Sequence, residues 1–142
     1  MSSTPKPRAR RWVMLGLSAL ATIAVGLMAR FALGGIVGDI LGGVLYAVLV
    51  FLLVTAATWL LRPRGRVSWW GIALLSAALC WAVELLQLTS LPGEWAAVFP
   101  PARLVFGTTF SAVDLGAYAI GAVLAGAVAM LASRREDLPL TG

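Results

Sequence analysis

Residues 39–61, DILGGVLYAVLVFLLVTAATWLL, followed at once by RPRGR at 62–66, decide the fold. From Ile40 to Leu61 there are 22 residues without a charge. At a helical rise of about 1.5 Å per residue, such a run reaches about 33 Å, enough to cross a bilayer core of about 30 Å. Arg62, Arg64 and Arg66 stop it abruptly, as basic residues do on the cytoplasmic side of a membrane span. Asp39 heads the run, and an aspartate suits a helix N-terminus, where free N–H groups and the macrodipole favour an anion.

The flanking sequence repeats this pattern. Before it, Trp12 to Leu33 reads as a first span interrupted only by Arg30, with Gly34, Gly35 and Gly38 marking a tight turn. That span is too long for a signal-peptide core, and a charge and a Phe stand where a cleavage site needs small residues. After it, residues 69–88 read as a third span, with Trp69 and Trp70 at interfacial depth and Glu84 and Gln87 near the far end. A fourth span covers about 111–132. Residues 1–11 read as a disordered basic tail and 134–142 as a second short tail, which leaves 12–133 as one membrane domain.

Residues 91–110 fit neither a span nor a solvated loop. Pro92, Gly93, Pro100 and Pro101 break helices, yet Trp95, Val98, Phe99, Phe106 and Phe110 are too apolar for water. The expectation is an interfacial or re-entrant segment of two short helical turns split at Pro100-Pro101. The fold class is therefore all-α: a four-helix transmembrane bundle with that segment between its third and fourth spanning helices.

Composition agrees. Of 142 residues, 61% are hydrophobic and 12% charged, against about 25% charged in soluble domains. The mean hydropathy is +0.94. The net charge of +5 does not point to nucleic acid, because the basic residues fall in short clusters beside the apolar runs. Lys6, Arg8, Arg10 and Arg11, then Arg62, Arg64 and Arg66, then Arg134 and Arg135 all fall on one side, so both termini are expected to be cytoplasmic. The one cysteine, Cys80, cannot form an internal disulfide and reads as a packing residue. The chain has no histidine, which removes Ser-His and Cys-His catalysis and histidine metal ligands. No metal and no cofactor is expected.

What remains is a set of polar groups in apolar surroundings. Arg30, Asp39, Glu84, Gln87 and Asp114 all fall in the outer third of the expected spans, with Tyr118 one turn below Asp114 and Arg103 in the outer segment. A charge at mid-bilayer costs about 2.5–3.5 kcal/mol on insertion scales, so such groups are expected to face inward. The spacings agree. Glu84 shares a face with Cys80 and Gln87, Asp114 with Tyr118 and Gly121, Asp39 with Gly42, Gly43 and Tyr46, and Arg30 with Gly26. Small neighbours let helices approach closely. The expectation is a polar pocket open to the outside, lined by Arg30, Asp39, Glu84, Gln87, Arg103, Asp114 and Tyr118.

The run GDILGGVLYAVLVF, then AVELLQL, a Trp, an Arg and FGTTFSAVDLGAYAIGA resembles the small bacterial membrane proteins grouped as domain of unknown function 2809. The resemblance covers about 30–124 and rests on Arg30, Gly38-Asp39, Glu84-x-x-Gln87, Trp95, Arg103, Gly107, Phe110, Asp114, Tyr118 and Gly121. The Glu-x-x-Gln, Arg, Asp, Gly order is also similar to the VanZ-like family, linked to glycopeptide resistance. That family has a second Asp and an Asn in its last helix, where this chain has Asp114, Tyr118 and Gly121, so the resistance role does not carry over. The resemblance implies a bacterial cytoplasmic-membrane protein and no established activity.

Several functions compete. The leading expectation is a non-enzymatic protein whose outer pocket binds the head group of a membrane lipid or a lipid-linked envelope precursor, with Arg30 and Arg103 on its phosphate. The alternatives are a purely structural ion-pair core in a scaffold or partner-binding protein, a small proton-coupled transporter with Glu84 as the proton site, and an enzyme using Glu84 as acid or base. No nucleophile or full ligand set accompanies the carboxylates, which weighs against an enzyme. A homo-oligomer is a further candidate, with Gly43-x-x-x-Ala47 and Ala122-x-x-x-Gly126 as contact faces.

Overall fold

The computed structural model describes residues 7–63, 65–102 and 109–136. Its described residues form five helices and no strand: α1 (Pro7–Leu33), α2 (Gly35–Leu61), α3 (Trp69–Leu86), α4 (Leu91–Val98) and α5 (Ala112–Glu136). Four of them, α1, α2, α3 and α5, are long and apolar enough to cross a membrane, which makes the chain a multi-pass membrane protein.

The helix ends differ from expectation, each for a local reason. Helix α1 is described from Pro7, and Arg8, Arg10 and Arg11 are helical where a disordered tail was expected to run to residue 11. The alanine and arginines there are good helix formers. The turn between α1 and α2 needs only Gly34. Gly34 and Gly35 have φ of +46° and +59°, a left-handed backbone that glycine adopts without Cβ strain. Helix α2 consequently starts four residues earlier than expected, and Asp39 is its fifth residue, not its head. At the other end of the chain, α5 runs on to Glu136, so Arg134 and Arg135 stand in its last turn, where cations complement the dipole.

The excursion between α3 and α5 contains one described helix, the eight-residue α4, closed at Phe99 ahead of the Pro100-Pro101 turn. Residues 103–108 lie outside the described residues. Ser90 donates to Glu94 at 2.6 Å across the first turn of α4. The apolar residues Leu91, Trp95, Val98 and Phe99 are exposed, Val98 by 88%.

The packing is uneven. Helix α2 lies against α1, α3 and α5, and α5 lies against α2 and α3, while the main packing partner of α1 is α2. The core is thus α2, α3 and α5, with α1 clasped to one side. The closest approach is between α2 and α5. A Cβ added at Gly121 would overlap the Val44 carbonyl oxygen and lie 2.9 Å from the Ala47 Cβ, and one at Gly43 would lie 2.8 Å from the Ala117 Cβ. Gly126 approaches Ala73 of α3 in the same way, at 3.0 Å. The two small-residue faces expected to join copies of the chain, Gly43-x-x-x-Ala47 and Ala122-x-x-x-Gly126, are therefore used inside the bundle. Without a hydrophobic drive between helices in lipid, close van der Waals contact of this kind is what holds them together.

Polar groups in the core turn back on their own helices. Thr55 donates to the Phe51 carbonyl at 2.8 Å and Ser76 to the Ile72 carbonyl at 2.7 Å. Hydrocarbon offers no water to satisfy them, so each hydroxyl must find an acceptor within the protein. Phe51, Ile72 and Ala73 form one core cluster, and Ala47, Cys80 and Tyr118 form another nearer the α4 end.

Candidate functional site

Glu84 lies in the last turn of α3, two residues before its end, on the same face as Cys80 and Ser76, and all three are buried. Its side chain is 0% exposed. A charge or a carboxylic acid in such a place must be fully hydrogen-bonded. Glu84 is: Oε1 accepts the backbone N–H of Ser111, and Oε2 accepts the Tyr118 hydroxyl at 3.0 Å. The two donors come from the residue just before α5 and from the second turn of α5, so one side chain on α3 secures the entry of the chain into its last helix.

The local sequence explains why Ser111 can donate in this way. Ser111-Ala112-Val113-Asp114 has the spacing of a helix-capping box. Asp114 donates its N–H to the Ser111 carbonyl at 3.1 Å. In a capping box the acid also takes the N–H of the cap residue. Here Glu84, from another helix, takes that N–H. A second tie runs parallel to it: the Trp81 indole N–H donates to the Leu115 carbonyl at 2.9 Å. On the α2 side, the Tyr46 ring packs on the Tyr118 ring with centroids 5.7 Å apart, which brings the third core helix into the cluster.

Of the seven expected pocket residues, Glu84, Asp114 and Tyr118 come together. Asp114 is half-buried, and the charges of Glu84 and Asp39 both reach it. Gln87 is half-buried and caps α3, donating its backbone N–H to the Val83 and Glu84 carbonyls. Asp39 sits at the same end of the bundle but is exposed on α2. Arg30 belongs to α1, with its side chain outside the described residues, and Arg103 lies outside them altogether. Around Glu84 and Tyr118 the described residues form a packed, hydrogen-bonded core. Ser111 and Trp81 were not anticipated as partners. The Ser-x-x-Asp spacing was the available signal for Ser111, whereas a backbone N–H leaves no mark in a sequence.

The opposite, basic end is built differently. A cavity of about 270 Å3 opens there between α1 and α2, lined by Arg11, Trp12, Trp59, Leu60 and Pro63. The Trp12 and Trp59 rings meet edge to face with centroids 5.6 Å apart. Among the described residues, no group of His, Cys, Asp and Glu side chains could hold a metal ion.

A family model described as a protein of unknown function (DUF2809) matches residues 32–122. The match contains Asp39, Tyr46, Glu84, Ser111, Asp114 and Tyr118, and omits nearly all of α1. No curated protein and no solved structure matches the chain.

Proposed function

The chain belongs to the DUF2809 family, whose function is unknown, and from that premise we propose that it is a non-catalytic membrane scaffold in which Glu84 is a structural latch. The observation that carries this reading is that both Glu84 oxygens are engaged by donors of the same chain at 0% exposure. A carboxylate acting on a substrate, or carrying protons for transport, needs contact with a ligand or with water. The latch ties the start of α5 to α3 and thereby fixes where the chain re-enters the bundle after α4. The apolar ridge Leu91, Trp95, Val98 and Phe99 then rests at the membrane–water boundary. The positive-inside pattern supports the basic end as cytoplasmic and the α4 end as external, in a bacterial cytoplasmic membrane.

The head-group reading fares less well at the α4 end. Asp39, Glu84 and Asp114 repel a phosphate, so Arg30 and Arg103 would have to outweigh three carboxylates there.

Thiol labelling tests the latch. In a Cys80→Ser background, Val98→Cys is expected to react slowly with a membrane-impermeant maleimide and markedly faster once Glu84→Ala releases the excursion. Equal labelling rates with and without Glu84 would overturn the proposal.

A further inference from the structure

The geometry points to a binding site for the phosphate-bearing head group of an anionic membrane lipid in the cavity between the start of α1 and the end of α2. Its lining divides into the parts such a head group needs. Arg11 supplies a planar guanidinium, which binds phosphate oxygens in pairs. Trp12 and Trp59 supply amphipathic rings of the type that settles at head-group depth. Leu60, 70% exposed, and Pro63 supply an apolar wall on the lipid-facing side. Among the described lining residues there is no acid. Arg10, Arg62 and Arg66 are exposed at the same end of the two helices, so the surrounding field is positive.

Size and rigidity fit the same occupant. At about 270 Å3 the cavity is near the lower end of ligand pockets, which run from roughly 300 to 1,000 Å3. It suits a head group with its glycerol, while the acyl chains continue over the exposed apolar surface of α1 and α2. The edge-to-face tryptophan pair bridges the two helices, and Arg62 closes α2 with its N–H on the Thr58 carbonyl at 2.8 Å. Basic recesses between membrane helices at the interface bind anionic head groups by this combination of charge and shape. This inference is independent of the latch, which lies at the other end of the bundle.

The experiment is native mass spectrometry of the full chain released from mixed phosphatidylglycerol and phosphatidylcholine vesicles. One phosphatidylglycerol is expected to remain bound in preference to phosphatidylcholine. Arg11→Ala and Trp59→Ala are expected to lose it. Arg11→Lys, which keeps the charge but not the paired hydrogen bonds, is expected to weaken retention by about tenfold, in line with loss of one charge-assisted bond. Arg135→Ala removes the same charge away from the cavity and is expected to change nothing. If Arg11→Lys retains the lipid fully, or Arg11→Ala and Arg135→Ala weaken it equally, the attraction is diffuse and the site is refuted. If glycerol phosphate in solution displaces the lipid completely, the cavity takes a soluble phosphate ester, and the lipid assignment fails.

Discussion

The two ends of this bundle treat an ionisable side chain in opposite ways. At the α4 end, Glu84 is sealed beneath α5 with one donor on each oxygen. At the basic end, Arg11 lines a recess together with two tryptophans. The difference follows from depth and partner. A carboxylate that is 0% exposed in the last turn of a span has no water to turn to, so the chain must provide its donors. An arginine at the start of a span reaches the head-group layer, where phosphate and water are at hand. The same chain therefore uses its acid to hold helices together and leaves its base open to the surroundings.

Glu84→Ala should do the most harm to the bundle. It leaves the partly buried Ser111 N–H and the buried Tyr118 hydroxyl without their acceptor, at about 1–3 kcal/mol for each. A loss of about 2–6 kcal/mol is expected in denaturant unfolding of the detergent-solubilised protein. Glu84→Gln keeps an acceptor for one donor and should lose clearly less. Parity between Glu84→Ala and the unmodified chain would show that Glu84 does not hold α5 to α3.

Next in size is Gly121→Ala. A methyl group there meets the Val44 carbonyl and Ala47, so α2 and α5 must separate, with a loss of about 1–3 kcal/mol. Gly116, on the same helix, has nothing within 4 Å of an added Cβ. Gly116→Ala is therefore expected to stabilise by about 0.5–1 kcal/mol through helix propensity. Opposite signs for the two variants in one unfolding series would confirm that the α2–α5 contact depends on the missing side chain.

The smallest effect belongs to Asp39→Asn. Asp39 is exposed on α2, and surface changes away from special features stay within about 0.5 kcal/mol. A large loss in thermal stability for Asp39→Asn would place Asp39 in the same network as Glu84 and blur the line between a sealed acid and a surface one.

Much of this was legible in the letters. The uncharged run from Ile40 to Leu61, the arginines that follow it and the three similar runs around it specified a membrane protein with four spanning helices. The depth of Glu84, Asp114 and Tyr118 along their helices also follows from counting residues. Asp39 shows where counting fails. A turn of one glycine sufficed, so the helix began earlier and the aspartate moved from a capping position to an exposed one. Gly43 and Gly121 fail in a related way. Their spacing announces a close contact without saying whether the contact lies within a chain or between chains.

Chain-level patterns of hydropathy and charge are enough to choose the solvent, because transfer into hydrocarbon is a property of each segment taken separately. Partner choice is not such a property. That Glu84 bonds Ser111 and Tyr118, that α1 clings chiefly to α2, and that a recess opens beside Arg11 all depend on how closely distant helices approach. That closeness is set by glycines facing backbone and by backbone N–H groups, which every residue but proline possesses and no letter distinguishes.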